Sequence, residues 1–288
     1  MTLPLDPVVA RRTWRTLEPL HSLIYFAPEA AERYATLGLA GPSGYFASRA
    51  AAMGPVNAEV VIATFYNFHP GLVRTSMAGV WDATTPGDVL AARMEAADGA
   101  LRGALGDAVG SQELGRAAIL ARVAAEVAGE RPEGRPLFAG HAALPWPDED
   151  HLALWHAQTL LREFRGDGHI AALTVAGLSG LEALVLHAAT GEIPVRGLRA
   201  TRAWPDDAWD EAVESLRSRG WLTSEAELQL SAAGAAHRQE VEDRTDALAL
   251  HPYAALGEER CTELRSLARP LSRAVVASGM IGLAQPGD

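Results

Sequence analysis

The sequence contains no lysine, and all 25 of its basic residues are arginine. A lysine amine is required for Schiff-base catalysis and for the lysine of a phosphate-binding loop, so both kinds of site are excluded. The combination of no lysine with abundant alanine, arginine and glycine is typical of GC-rich coding.

Cysteine is also scarce, and the one thiol, Cys261, excludes a disulfide framework and indicates a reducing compartment. Residues 1–13 lack the apolar core of a signal peptide and carry Arg11 and Arg12 late. No uninterrupted apolar run approaches the ~20 residues that a membrane-spanning helix needs. We therefore expect a cytoplasmic protein with no membrane partner.

Positive charge is in deficit, since the formal net charge is −11. Affinity for duplex DNA comes mainly from cationic contacts to phosphate. We therefore do not expect nucleic acid to be a partner of this chain.

The chain of 288 residues is long enough for one large or two modest domains. Capped segments with helical periodicity recur along it and predict a mainly α fold, with two helical halves around a central buried helix pair. Residues 130–140 hold two prolines and two glycines among charged residues, which favours a boundary. We assign the N-terminal helical half to residues 1–130, and the helix pair with the C-terminal half to residues 141–288.

The predicted organising element is the helix pair within residues 141–189. The first helix should end near Arg165, because Gly166 is suited to a left-handed stop. Asp167 can then cap a second helix that continues to about Ala189. The sequence therefore predicts a tight corner at these residues.

Elsewhere, cap residues predict where helices begin, and glycine and proline predict irregular segments. The expected caps are Asn57, His69, Thr85, Ser111 and Ser231. Irregular segments are expected at 39–56 and 190–204, and a short β-hairpin wing at 222–230.

Polar groups inside apolar helices need partners, because each buried unsatisfied group costs ~1–3 kcal/mol. Such groups occur at 45–49, 66–69 and 156–169, and we expect these stretches to converge on one cavity between the halves.

The candidate catalytic residues are His156, Glu163, Asp167 and His169. Either histidine would carry a proton and either carboxylate would orient it. The candidate ligand-binding residues are Tyr45, Phe46, Arg49, Asn67, His69, His141, Trp155, Arg162 and Arg165, in which Arg49, Arg162 or Arg165 would clamp an anion.

The same residues also suit a purely structural role, as caps and ion pairs of a helix corner. We predict no metal site and no cofactor. A haem or a metal ion bound through histidine is an alternative, but His151 and His156 are five residues apart and lie on different faces, whereas zinc-binding helices prefer a spacing of four.

Residues 205–250 contain a predicted helix, the run RGWL at 219–222, a short wing, and a helix opened by LSAAG at 230–234. In this order of elements the region resembles the winged helix of MarR-type regulators. Over most of its length the chain resembles an actinobacterial family of helix-turn-helix proteins. That resemblance rests on GYFASR at 44–49, ATFYNF at 63–68, and LLRE at 160–163 with RGDGH at 165–169. The family name describes a fold and implies no reaction.

A weak internal similarity between residues 29–39 and 211–221 is compatible with a tandem winged-helix-like pseudo-repeat. The first turns of the expected recognition helix are acidic, with Asp206, Asp207, Asp210, Glu211 and Glu214, so phosphate would repel them. We therefore interpret the region as a winged-helix scaffold that has lost DNA binding.

The leading hypothesis is a small-molecule-binding protein, extending to a cofactor-independent tailoring enzyme of specialised metabolism. The alternative is a MarR-like, ligand-responsive transcriptional regulator whose basic contacts come from Arg196, Arg199 and Arg202. A third hypothesis is an interaction protein that docks through the acidic winged helix. A homodimer is compatible with each of them.

Overall fold

The structure, a computed structural model, describes residues 5–281. Within them the fold is mainly α, as the helical periodicity predicts. The helices in chain order are α1 Val8–Ser22, α2 Pro28–Thr36, α3 Pro42–Ala50, α4 Ala58–Phe65, α5 Pro70–Met77, α6 Val80–Ala83, α7 Pro86–Leu105, α8 Gln112–Ala128, α9 Pro136–Ala142, α10 Asp150–Val175, α11 Gly180–Ala188, α12 Val195–Arg202, α13 Asp206–Ser218, α14 Ala232–Leu256 and α15 Glu258–Ala277. Short 3-10 helices lie at Leu23–Tyr25, Ala51–Met53 and Gly106–Gly110.

The chain divides into two compact units, each built from separate segments. Of the described residues, the first unit contains 5–56, 79–167 and 246–281, and the second contains 57–78 and 168–245. The sequential division made from the sequence cuts at 130–140, which falls inside the first unit. Proline and glycine at that place mark a turn before α9 and not a boundary between the units.

The first unit is organised around the N-terminal part of α10. Every residue from 151 to 161 is buried, although four of these residues are polar: His151, His156, Gln158 and Thr159. Helix α1 packs on α15, α2 packs on α7, and α8 packs on α15. A helix that is buried on all sides while carrying polar groups must find hydrogen-bond partners inside the unit.

The second unit contains a helix-turn-helix. Helices α12 and α13 are joined by Ala203, Trp204 and Pro205, and Ala203 has a left-handed conformation with φ of 56°. Helix α11 packs against both. The apolar core of this unit takes Trp209 and Leu216 from α13.

The corner predicted at Arg165, Gly166 and Asp167 is wrong. Helix α10 runs through these residues to Val175, and α11 begins at Gly180 with a 99° bend between them. The left-handed stop is Gly177, with φ of 65°. Ser179 caps α11 in a capping box with Glu182. The capping box at Ser179 therefore breaks the continuous helix that the sequence predicts to reach Ala189. Gly166 stays inside α10, because a glycine in a helix costs only ~1 kcal/mol.

The prediction of a β-hairpin wing is also wrong, because the described residues form no strand there. Among the described residues, the region contains one isolated antiparallel bridge, between Leu222 and Leu230. The pairing has the predicted position, but a two-stranded hairpin has too little buried surface to extend. The pseudo-repeat is not supported either, because the segment after α2 folds as helix α3 and the segment after α13 folds as the bridged loop.

Two segments predicted to be irregular contain helices. Residues 39–56 hold α3, which begins at Pro42, and residues 190–204 hold α12. Pro42 occupies the first helical position of α3, where proline favours a helix, and Pro194 directly precedes α12. The five predicted helix caps are confirmed, since each side chain accepts a hydrogen bond from a backbone N–H of the following helix.

No single helix of residues 5–281 is long and apolar enough to cross a membrane. The bent pair formed by α10 and α11 meets the criterion of length and composition when the two helices are taken together.

Candidate functional site

A group of buried and half-buried charges lies around Glu163 of α10 in the first unit. Arg162 donates from Nε to Glu18 at 2.9 Å and from Nη1 to Glu163 at 2.9 Å. Arg49, from α3, approaches the same Glu163 oxygen at 3.6 Å and donates to the Tyr45 hydroxyl at 2.8 Å. We call these five residues the α10 network.

The carboxylate of Glu163 is ionised inside this network. Burial acts to raise its pKa, but the charges of Arg162 and Arg49 outweigh burial and hold the pKa below its usual value. A buried carboxylate between two guanidiniums is strongly held, because loss of one partner leaves an uncompensated charge that costs about 3–5 kcal/mol.

Arg93 of α7 adds a further cation to the region. Its side chain is buried, its guanidinium carbon lies 5.1 Å from the centre of the Trp155 ring, and its Nη1 donates to the Ser48 carbonyl at 3.4 Å. Its Nη2 has no hydrogen-bond partner among the described residues. Three guanidiniums therefore face the two carboxylates of the α10 network, which gives the region an excess of positive charge.

Two buried histidines of the unit, His141 and His156, are neutral. Burial, followed by the charge of Arg93, lowers the pKa of His141 to about 3 and that of His156 to about 4. The ring of His156 lies edge-on to Trp146, with centroids 4.8 Å apart. A base with a pKa of about 4 is a weak proton acceptor near neutral pH, which argues against a proton-carrier role for His156.

A cavity of about 170 Å³ lies against the α10 network. Three of the five tyrosines in the sequence line it, Tyr25, Tyr34 and Tyr45, together with Ser48. The other lining residues are small or apolar: Ile24, Phe26, Ala27, Pro28, Ala30, Ala31 and Gly41. Phe26 is 54% exposed, whereas Tyr34 and Ser48 are buried, so the cavity leads from the surface towards the network.

Tyr25 connects the cavity wall to α10 through His21. The Tyr25 hydroxyl lies 2.8 Å from His21 Nε2, and His21 Nδ1 lies 2.9 Å from the Thr159 hydroxyl. Thr159 in turn donates to the Trp155 carbonyl at 2.9 Å. Burial, followed by the charges of three neighbouring arginines, lowers the pKa of His21 well below its usual value, so this imidazole is neutral.

Two guanidiniums lie over the ring of Tyr25. The guanidinium carbons of Arg49 and Arg162 are 5.5 Å and 5.4 Å from its centroid, within the range of a cation–π interaction. They hold the tyrosine ring in place as one wall of the cavity.

Four of the residues chosen from the sequence meet at this site: Tyr45, Arg49, Arg162 and Glu163. Phe46 packs edge-on against Tyr45 at 5.2 Å, which places its buried ring behind the cavity wall.

Trp155, also chosen from the sequence, is buried and stacks on His21 at 5.9 Å with an interplanar angle of 10°.

Arg165 and Asp167 have anchoring contacts instead. Arg165 forms an ion pair with Asp246 at 2.7 Å, and its guanidinium lies 4.9 Å from the Trp14 ring centre. The Asp167 carboxylate accepts the backbone N–H of Phe138 at 3.0 Å. Asp167 therefore fixes the start of α9, which is a different task from the helix cap predicted for it.

The remaining candidates belong to the second unit. His69 caps α5 through its ring Nδ1 and lies edge-on to Trp204 at 5.1 Å. The backbone carbonyl of Asn67 accepts a hydrogen bond from the Trp204 indole N–H at 2.9 Å. His169 Nδ1 lies 2.9 Å from the Thr245 hydroxyl. The hypothesis of one cleft shared by all three stretches joins residues of both units and stays a prediction.

Sequence reasoning missed His21, Tyr25, Tyr34 and Arg93. The available signals were a histidine and a tyrosine spaced for one helical face at 21 and 25, and three of only five tyrosines within residues 25–45. Neither pattern is distinguishable in sequence from an ordinary amphipathic helix face.

Residues 5–281 contain no group of three or more histidine, cysteine or acidic side chains placed to hold a metal ion. The cysteine, Cys261, is buried, and burial raises the pKa of its thiol to about 11.

The helix-turn-helix of the second unit has an acidic leading surface. The five acidic residues of the first turns of α13, from Asp206 to Glu214, are all exposed. Arg217 donates to the Glu225 carbonyl at 2.8 Å and thereby holds the bridged loop. Arg219 lies 3.6 Å from the ring centre of Trp221 and donates to the Gly177 carbonyl at 3.2 Å. The arginines at the end of α13 thus have structural contacts.

No curated protein and no solved structure matches this chain. The model of one protein family, described as a helix-turn-helix family, matches residues 10–282. That match covers nearly the whole chain and agrees with the arrangement of α12, its three-residue turn and α13. The chain therefore belongs to this helix-turn-helix family.

Proposed function

We propose that the protein binds a small molecule in the tyrosine-lined cavity of its first unit, on a helix-turn-helix scaffold that has lost DNA binding. The observation that carries the proposal is the cavity itself, because its wall is backed by charges held at fixed distances. Ligand sites are concave and mostly apolar, with a few well-placed polar groups, and this cavity has that composition.

The size of the cavity limits the ligand. An apolar cavity of about 150 Å³ is large enough to bind benzene, and the cavity here is about 170 Å³. The ligand, or the part of it that enters the cavity, is therefore on the order of a single ring.

Binding is favoured over acid–base catalysis by the state of the histidines. His141 and His156 are neutral and weakly basic, whereas an efficient general base has a pKa near the working pH. The site therefore has the recognition groups of a ligand-binding protein, and neither His141 nor His156 has a pKa that suits the proton carrier of the tailoring-enzyme hypothesis.

The test uses a pair of tryptophan substitutions on α2. Ala31 lines the cavity and Ala35 does not, and both are exposed. We expect one-ring probes (toluene, phenol, benzyl alcohol and benzoate) to include at least one that raises the melting temperature of the wild type and of Ala35→Trp. Ala31→Trp should lose that response, because the indole fills the cavity. The proposal is wrong if no probe raises the melting temperature, or if Ala31→Trp responds as the wild type does.

The second candidate is a ligand-responsive transcriptional regulator of the MarR-like, winged-helix kind. One observation favours it: α12 carries Arg196, Arg199 and Arg202 directly before the turn of the helix-turn-helix. Arg199, however, forms an ion pair with Asp206 at 2.7 Å, which neutralises it at the point where a phosphate would approach.

A further inference from the structure

The hydrogen bonds behind Tyr25 form a chain of three links. They run from the Tyr25 hydroxyl to His21, from His21 to the Thr159 hydroxyl, and from Thr159 to the Trp155 carbonyl, with lengths of 2.8, 2.9 and 2.9 Å. His21 is fully buried, and its neutral ring carries one N–H. The position of that single proton decides the direction of every link.

Only one placement of the protons makes all three hydrogen bonds. The last link ends on a carbonyl, which cannot donate, so Thr159 gives its proton to Trp155. His21 must then donate from Nδ1 to Thr159, which leaves Nε2 as an acceptor. Tyr25 therefore donates its own proton to His21. The reversed chain would leave the Trp155 carbonyl without the threonine and would make one hydrogen bond fewer.

Tyr25 is a residue of the cavity wall, and its oxygen consequently keeps lone pairs for a ligand but has no proton to donate. Ser48, on the same cavity wall, also uses its proton inside the protein, since its hydroxyl donates to the Tyr45 carbonyl at 3.2 Å. Two of the hydroxyl groups on the wall are thus acceptors towards a ligand.

We infer that the cavity selects small ligands that donate a hydrogen bond, namely one-ring phenols or alcohols, over ethers and ketones of the same size, and that His21 is the residue that sets this preference by holding the proton of Tyr25. The inference rests on the proposed function, because it requires the cavity to be a ligand site. His21 acts through Tyr25 and is a positioning residue.

The charge behind the wall limits which donors can bind. Arg49 and Arg162 lie over the Tyr25 ring, and Arg93 donates to the Ser48 carbonyl. These guanidiniums disfavour an ammonium donor, because like charges repel in a buried site. Among donors, a neutral hydroxyl is therefore favoured over an ammonium group.

The decisive ligands are two isomers, 4-methylphenol and methoxybenzene, which have equal size and differ in whether they can donate. We expect calorimetry on the full-length wild type to give a dissociation constant at least about fivefold lower for 4-methylphenol, the effect of one hydrogen bond. Tyr25→Phe should reduce that ratio to less than about twofold, by weakening the phenol and leaving the ether unchanged.

Tyr253→Phe is the matched control. Tyr253 is also buried in the first unit, lies outside the cavity lining, and has a hydroxyl without a hydrogen-bond partner among the described residues. This variant should keep the wild-type ratio. Loss of the preference in Tyr253→Phe as well would overturn the assignment to Tyr25.

A second measurement does not depend on any variant. Nitrogen-15 NMR of the histidines in the wild type reports which ring nitrogen carries the proton. His21 should be protonated at Nδ1, and protonation at Nε2 would overturn the inference.

The two possible failures are distinguishable. If both isomers bind equally and Ala31→Trp abolishes both, the cavity is a ligand site and the donor preference is wrong. If neither isomer nor any other one-ring probe binds, the proposed function fails and the inference fails with it.

Discussion

At the scale of single residues, Asp167 is a carboxyl group whose burial works against its charge. Burial, opposed by the backbone N–H of Phe138, raises its pKa to about 6. An aspartate in an unfolded chain has a pKa of about 3.9. The folded protein therefore binds the proton more tightly than the unfolded chain does between these values.

This difference gives the first prediction. Stability contributed by Asp167 is present below about pH 4, falls as the pH rises to about 6, and is absent above that. Asp167→Asn cannot ionise, and its amide oxygen can still accept from Phe138. The variant should therefore gain stability relative to the wild type between pH 4 and pH 7, by up to about 2–3 kcal/mol. Urea unfolding of both proteins across this range measures the gain.

The exposed Asp107→Asn controls for the loss of one negative charge. If the stability difference between Asp167→Asn and the wild type stays constant with pH, the assignment of the raised pKa to Asp167 is wrong.

The residue scale also shows what the sequence could and could not predict about the site. Arg162 and Glu163 were found because charges inside apolar helices must be paired, and the structure pairs Glu163 with both Arg162 and Arg49. His21 and Tyr25 were missed because a neutral histidine with a tyrosine four residues later has no unusual chemistry until Thr159, far away in sequence, completes the chain of hydrogen bonds. A local sequence pattern shows that a buried polar side chain needs a hydrogen-bond partner, but it does not show which distant residue is that partner.

At the scale of elements, helix starts were predicted better than helix ends. Asn57 and Thr85 cap helices where the sequence places them, because capping is decided by a side chain and a backbone N–H two or three residues away. The end of α10 is harder to predict, because both Gly166 and Gly177 could serve as its left-handed stop. Gly166 is accommodated inside the helix, whereas Gly177 takes the left-handed conformation just before the capping box of α11.

The start of α11 gives a second prediction. A Cβ atom at Gly180 would lie 2.0 Å from the Tyr66 carbonyl oxygen, which is backbone and cannot move aside easily. Gly180→Ala should therefore destabilise the protein by at least about 3 kcal/mol, at the upper end of overpacking effects. Thermal unfolding followed by circular dichroism measures this loss.

Gly197 provides the matched control in the same unit. It lies inside α12, and a Cβ atom there would meet no atom within 4 Å. Gly197→Ala should be neutral or stabilising by about 0.4–1 kcal/mol, because alanine restricts the unfolded chain. Equal effects of the two substitutions would contradict the close approach of α11 to the Tyr66 backbone.

At the scale of the whole molecule, membership of a helix-turn-helix family and the charge of the chain give opposite expectations. The family match and the turn between α12 and α13 favour DNA binding. The net charge of −11 and the exposed acidic face of α13 oppose it. Electrostatics should decide, because contacts to phosphate supply nearly all non-specific affinity and a large share of specific affinity.

We therefore predict that the wild type forms no specific complex with duplex DNA at physiological salt. Fluorescence anisotropy with a pool of random duplexes, followed by selection of any bound sequences, measures this directly. A dissociation constant near the ~10⁻⁸ M of specific regulators would establish the regulator hypothesis instead.

The sharper test neutralises the face of α13 by replacing its five acidic residues, Asp206→Asn, Asp207→Asn, Asp210→Asn, Glu211→Gln and Glu214→Gln.

The neutralised protein should bind duplexes more tightly than the wild type, with an affinity that falls as salt is added. A control with the same change in net charge replaces five exposed acidic residues of the first unit, Asp107→Asn, Glu113→Gln, Glu133→Gln, Asp148→Asn and Glu149→Gln. If the control gains as much affinity, net charge alone governs binding and the acidic face has no special part. If only the α13 variant gains, the helix-turn-helix retains the shape to approach a duplex, and its acidic residues are what prevents it from binding.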